Sequence, residues 1–464
     1  MTERRAIYGL LGLVGSIFAA LLYIRCISTG FTYGTDTFDH PYQEFIFALI
    51  VSGIAWLGFL IVLPRIKHVP RPIFGGVIFV GVIARLLFLG STPIYEDDWA
   101  RYLWDWAVTL EEVNPYVYPP KVAVTEQVLL SPDIEKLQDL ADEHADVSVR
   151  INNADLTTIY PPVATSIFTL GAWIKAFDLD VLRMLYLCVE LLSLAIFLYI
   201  LKLYGRNFIW FLLYWFNPML IYAVYNALHM DVLLLPGLLG ALALVKSGRP
   251  YLASLALGVA AAVKFWPLVL GPVLLRQHRR NWRVFIGGGI IMGLTCLLLI
   301  LPLLLALNQY SGLAAYSESW VRSAFLFVQF ESLLGVIMED PGRMARICVA
   351  IAVTGVSLWL AFKSEVDLDQ LPLALLMVIL TLYLLSPTGY PWYTIWFVAL
   401  LPLVPSYGAA LLTVTVSLYY LRYALGERDI YHIYTDIIVP IQFGLPMLVM
   451  GWEIYGQRRG AYAR

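Results

Sequence analysis

The chain has 464 residues, 60% of them hydrophobic and 14% charged, with a mean hydropathy of +0.75. That balance excludes an ordinary soluble domain and points to a polytopic membrane protein. A net charge of −2 without a long Lys/Arg-rich run excludes a nucleic-acid track.

The N-terminal Met-Thr-Glu-Arg-Arg leads into a long apolar run with no small-residue cleavage site, so it reads as a retained first span. Leu/Val/Ile runs with short polar connectors then recur to the C-terminus, the pattern of helices of about 20 residues rather than of a barrel's alternating strands. The four cysteines, Cys26, Cys188, Cys296 and Cys348, fall in or at the ends of these runs and form no CxxC pair, so neither a disulfide frame nor a zinc site is expected. Basic connectors are assigned to the cytoplasmic side: Arg4/Arg5, Arg65/Lys67/Arg71, Lys202/Arg206, Lys246/Arg249, Arg276/Arg279/Arg280/Arg283 and Arg458/Arg459/Arg464. The acidic and aromatic connectors between them then face the exterior. The fold class is an all-α polytopic membrane protein of about 12–14 transmembrane helices in one membrane domain, 1–464, with both termini cytoplasmic.

That topology holds only if the apolar stretch 161–177 does not cross, and Tyr160-Pro-Pro162 is read as opening a helix that lies in the interface or re-enters. A lysine at mid-bilayer is costly, so the run 250–275, with Lys264 at its centre, is read as two short helices meeting outside at Lys264.

Between the apolar run 73–89 and residue 180 lies the large extracytoplasmic loop, 91–180. Its head, Ile94-Tyr-Glu-Asp-Asp-Trp-Ala-Arg-Tyr-Leu-Trp-Asp105, is too polar for hydrocarbon, where each acidic residue costs about 2.5–3.5 kcal/mol. From Asp97 the spacing is helical, with Trp99, Leu103, Trp106 and Leu110 on one face and Asp97, Asp98, Arg101, Asp105 and Glu112 on the other. An amphipathic helix lying on the membrane is expected. Glu96, Asp97 and Asp98 are open to two readings. They cap the helix, or their mutual repulsion raises a carboxyl toward the range of a base. Two Tyr-Pro-Pro segments, at 118–120 and 160–162, bracket a polar excursion that reads as a lid or an acceptor platform.

Lys264 reads either as a cation for a lipid phosphate or as a snorkelling anchor, and Arg85 and Arg101 are lesser candidates for the same phosphate role. His229 and Asp231 share a short outer turn, where they bind a metal, orient an acceptor or cap the next helix. Ser386-Pro-Thr-Gly-Tyr-Pro-Trp-Tyr-Thr-Ile-Trp396 sets Trp392 and Tyr393 at the outer interface, as an aromatic belt or as rings that grip a sugar or isoprenoid.

Taken together and in order, Glu96-Asp-Asp-Trp-Ala-Arg-Tyr-Leu-Trp-Asp105, Asn114-Pro-Tyr-Val-Tyr-Pro-Pro120, His229-Met-Asp231, Lys264 and Pro391-Trp-Tyr393 resemble the bacterial membrane mannosyltransferases of the glycosyltransferase C superfamily. The resemblance implies many transmembrane helices and a catalytic aspartate in the first large outer loop. It also implies a polyprenyl-phosphate sugar donor, inversion at the anomeric carbon and a glycan or glycolipid acceptor. Mapped here, the catalytic role falls on Asp98 or Asp97, with Asp98 favoured by the Asp-x-x-Arg-Tyr run, and Arg101, Tyr102, Asp105, Arg85, His229, Asp231, Lys264, Trp392 and Tyr393 are candidate substrate-binding residues. Where the family usually has glycine after Trp-Asp, this chain has Trp106, which bears on the acceptor contour. No cofactor is required, and a divalent metal is admitted but not indicated. The expected location is the plasma membrane with the active site extracytoplasmic.

Two rivals stand beside this reading. A transporter or flippase would place its ionisable groups near mid-membrane. A ligase or polymerase of lipid-linked glycans would often carry a basic, His-containing outer loop, whereas this loop is predominantly acidic.

Overall fold

The computed structural model describes residues 2–125, 131–363 and 367–458. It is 75% helical, and among the described residues the β structure is one isolated bridge, Arg322 with Thr388. The protein is an all-α polytopic membrane protein. Among the described residues eight helices are long and apolar enough to cross a bilayer, and a ninth span arises if Phe208–Trp215 and Pro218–Asn226, bent by 53°, count as one.

That is fewer than the 12–14 expected, because several apolar runs are cut into short pieces. Asn217 breaks the run at Pro218 and accepts from Leu220 N at 2.9 Å, opening a four-residue helix that passes into a π-turn, Tyr222–Asn226. Likewise Trp266–Leu270 is a 3-10 turn followed by the four-residue helix Gly271–Leu274. Pieces of this length satisfy their backbone polar groups only where protein surrounds them, and Leu212–Leu235 is buried throughout.

By Cα proximity the chain forms two compact units. Unit 1 comprises Met1–Ile94, Leu194–Asn226 and Val321–Arg464. In it the helices Glu3–Ile27 and Tyr42–Val62 pack together, and the Trp56 indole donates to the Leu213 carbonyl at 3.1 Å. Gly81 lies so close to Trp215 that an added Cβ would stand 1.8 Å from the indole nitrogen, so that crossing requires glycine. Arg85 lies with its guanidinium 3.5 Å over the Trp215 ring, fully buried. Trp392 and Tyr393 are buried too, with Tyr390 stacked on Trp392 at 4.4 Å and Tyr393 on Trp396 at 4.2 Å. These aromatics pack on one another and on Tyr419.

Unit 2, Tyr95–Ser193 and Ala227–Trp320, carries the acidic motif. The 161–177 stretch forms the helix Pro162–Ile174, 13 residues, about 20 Å long and too short for a 30 Å slab. It packs against the helix Asp98–Leu110, where Gly171 admits the Trp106 ring. The Asp98–Leu110 helix is not the surface helix expected. Every residue from Trp99 to Val108 is buried, because Pro162–Ile174 covers its apolar face and the segment around Leu156 and Thr158 covers Arg101 and Asp105. The helices Leu235–Lys246 and Pro250–Ala261 run side by side, joined by a short turn, and the second ends just before Lys264.

Candidate functional site

Two strained turns aim the polar side chains of unit 2. Tyr95 (φ 60°) precedes Glu96, and Leu228 (φ 62°) precedes His229. A bulky side chain with positive φ costs on the order of 1–2 kcal/mol and persists only when its surroundings hold it. Tyr186 does so at the second turn, its hydroxyl donating to the Leu228 carbonyl at 3.2 Å.

The result is a cluster around Asp98. His229 Nδ1 lies 3.5 Å from Asp98 Oδ2, and its Nε2 lies 3.8 Å from Glu96 Oε2. Asn152 Nδ2 donates to Asp97 Oδ1 at 2.7 Å and to Asp98 Oδ1 at 3.0 Å. Asp97 occupies the N-cap position, yet its side chain caps nothing. The two acids are thus held by the amide of a residue 54 and 55 positions away. On the other side Lys264 Nζ donates to Asp231 Oδ1 at 2.7 Å. Glu96, His229 and Asp231 are buried, whereas the Asp98 and Lys264 side chains are 26% and 25% exposed.

The electrostatics depart from simple repulsion among neighbouring acids. Burial raises the Asp98 carboxyl, but hydrogen bonding and charge from His229, the Asn152 amide and the Lys264 charge outweigh it and hold the group below the ordinary aspartate range. The raised carboxyl is instead Asp105. Its burial pushes it up to about 6 against the charge of Arg101 and the Thr158 hydroxyl. Asp105 Oδ2, Arg101 Nη1 and Trp106 Nε1 are buried without a hydrogen-bond partner among the described residues, while Arg101 Nη2 donates to the Leu156 carbonyl. Tyr102 is stacked on Phe168 at 4.6 Å and edge-on to Tyr160 at 4.8 Å. Arg101, Tyr102 and Asp105, candidate substrate-binding residues in the sequence, are buried on this helix.

Asp105 gives a pH-dependent stability. Its folded-state value lies above the unfolded one, so the native state binds the extra proton and unfolding free energy falls as pH rises from about 4 to about 6. The loss is on the order of 3 kcal/mol for a shift from 3.8 to about 6. Thermal unfolding midpoints of the detergent-solubilised protein across pH 4–7 are expected to fall with pH in the wild type and to be flatter in Asp105→Asn. An unchanged slope would show that Asp105 is not the group responsible.

The structure also revises the pairing of motifs. His229 faces Glu96 and Asp98, and Asp231 holds Lys264. Among the described residues no group of three or more His, Cys, Asp or Glu side chains is placed to hold a metal. Asn152 was absent from the sequence reading. Replacing it by alanine removes two charge-assisted hydrogen bonds and is expected to cost about 2–3 kcal/mol of stability and to raise the Asp98 carboxyl. Asn152→Asp, which adds a third acid, is expected to cost more. Equal thermal midpoints for wild type and both variants would refute the bridge.

Residues 158–387, 230 of the chain's 464, match the family model of Glycosyltransferase family 87. The matched segment contains His229, Asp231 and Lys264 and begins after Asp98. No curated protein and no solved structure gives a match. The similarity supports a glycosyltransferase, and so a membrane transferase that uses a sugar donor and an acceptor.

Proposed function

We propose that this chain is an inverting hexosyltransferase of the plasma membrane, moving a hexose, with mannose the first candidate, from a polyprenyl-phosphate donor to a glycan or glycolipid acceptor on the extracytoplasmic face. The observation that carries the reading is the pairing of openness with charge. Within a cluster whose Glu96, His229 and Asp231 are buried, Asp98 and Lys264 keep about a quarter of their side-chain surface open. Each lies within the other's field.

An open carboxylate beside an open ammonium suits a displacement that must remove a proton and release a phosphate. The acceptor oxygen attacks the anomeric carbon and its proton passes to Asp98, acting as general base. As that bond forms, the bond from the anomeric carbon to the donor phosphate oxygen breaks. Polyprenyl phosphate departs with an added negative charge, which Lys264 offsets. One displacement inverts the anomeric configuration. His229 and Asn152 hold Asp98 ionised and oriented, and Asp231 fixes the lysine.

Depth favours a lipid-borne donor. Asp231 and Lys264 each stand 15 positions from the basic turn at Lys246 and Arg249. At about 1.5 Å per residue that is roughly 22 Å, against about 30 Å of hydrocarbon. With the basic turn at the cytoplasmic boundary, the ion pair sits several ångströms below the outer one. A phosphate carried on a membrane anchor reaches that level more readily than a soluble nucleotide sugar.

The test is an assay of purified protein in lipid with a panel of polyprenyl-phosphate sugars and glycolipid acceptors, following release of polyprenyl phosphate and the anomeric configuration of the product. Transfer with inversion is expected. Movement of an intact donor across the bilayer without cleavage would establish a flippase instead, and transfer of whole glycans a ligase.

A further inference from the structure

Unit 2 carries a second polar end whose charge has one sign. No Asp or Glu occurs between Asp231 and Glu318, while Lys246, Arg249, Arg276, Arg279, Arg280 and Arg283 all fall there. The fold gathers them. The Gln277 amide donates to the Val245 carbonyl at 3.4 Å, which sets the segment after the helix Gly271–Leu274 against the turn between Leu235–Lys246 and Pro250–Ala261. The helices Pro250–Ala261 and Trp282–Leu305 pack in parallel. Gly287 meets Tyr251, Gly288 meets Ser254, and Gly258 meets Met292 and Thr295, so both chains advance in the same direction and both helices start at the basic end.

At that end Arg249, Arg280 and Arg283 are exposed. Trp282 is 67% exposed beside them, with the Arg283 guanidinium 5.8 Å from its ring centroid. The helix that Trp282 opens is apolar and largely uncovered, only 17% of its apolar window being buried in the protein. Neither helix has an acid in its first turn. Cations there oppose the helix dipole, a disadvantage that an anion would reverse. Exposed arginines around an indole, at the mouth of a lipid-facing helix, match an anionic headgroup in both charge and depth.

We infer that Arg249, Arg280, Arg283 and Trp282 form a binding site for the phosphate headgroup of an anionic phospholipid, at the end of unit 2 opposite the Asp231–Lys264 pair. The inference is independent of sugar transfer. Its occupant is a bilayer lipid, because the indole and the exposed apolar helix beside the arginines offer acyl chains a surface that a soluble anion would not use.

The experiment is native mass spectrometry of the full chain purified in mild detergent with an equimolar mixture of phosphatidylglycerol and phosphatidylcholine. Phosphatidylglycerol is expected to be retained preferentially. Arg249→Ala/Arg280→Ala/Arg283→Ala is expected to remove the preference, by roughly fivefold for each arginine. A control with the same charge change at two other basic segments, Arg4→Ala/Arg5→Ala/Arg71→Ala, is expected to keep it. Should the triple variant fail to give a folded species, Arg280→Gln and Arg283→Gln singly read the same ratio. Equal retention of the two lipids, equal loss in the control variant, or displacement of the lipid by inorganic phosphate at low millimolar concentration would each overturn the site.

Discussion

Asp98→Asn is expected to reduce sugar transfer by about 10²–10⁴-fold, the range of a lost general base, while the protein stays folded and inserted. The substitution keeps the shape of the side chain and takes one negative charge from a cluster that retains Glu96, Asp97 and Asp231. Loss of rate without loss of stability is therefore the distinguishing result. Asp97→Asn should act more mildly, since it is Asp98 that faces His229 and lies in the field of Lys264. Because Asp98 is held below the usual aspartate range, it remains ionised throughout neutral pH. The acid limb of the rate profile should then lie below the titration of an ordinary aspartate. Removing the Asn152 amide should move that limb upward, a change that mere loosening of the fold would not produce. Full activity in both Asp97→Asn and Asp98→Asn would remove this chemistry from the acid pair altogether.

Membrane character was legible because it rests on composition, and a helix opening at Tyr160-Pro-Pro162 was legible because proline restricts the chain there. The long helices are fewer than the apolar runs for a physical reason. An apolar run reads the same whether it faces lipid or protein, so hydropathy cannot separate the buried 3-10 and π pieces of 212–235 from a crossing helix. Period reading found the helix after Asp97 and its two faces, but amphipathicity shows only that the faces differ. Here the polar face carrying Arg101 and Asp105 is covered by protein instead of water. Asp98, His229 and Lys264 were each visible as polar residues out of keeping with apolar surroundings, but their joining into one cluster was not, since partners separated by 33 residues, as Asp231 and Lys264 are, leave no local periodicity. Asn152 had no signal at all. A lone asparagine in a polar excursion looks like any turn residue until the fold sets its amide on two carboxylates.

Lys264→Ala combines two effects that a second substitution can separate. Removing the ammonium leaves Asp231, 2% exposed, as a buried carboxylate without its 2.7 Å cation, a change that costs about 3–5 kcal/mol in comparable buried pairs. A marked fall in the thermal midpoint is expected, and poor expression of that variant would by itself say nothing about the donor. In Lys264→Ala/Asp231→Asn the buried charge is gone, so much of the lost stability should return. Affinity for the donor phosphate should not, because it depends on the cation that both variants lack. Lys264→Arg keeps the charge but spreads it over a planar fork, which should preserve binding in part and disturb the bond to Asp231. The informative measurement is apparent affinity for polyprenyl phosphate in the stabilised double variant. Binding as tight as in the wild type would show that Lys264 serves only to neutralise Asp231, and the phosphate would then have to be held by another cation. A weakening of about tenfold or more, roughly 1.4 kcal/mol, with stability restored would place the lysine at the leaving group.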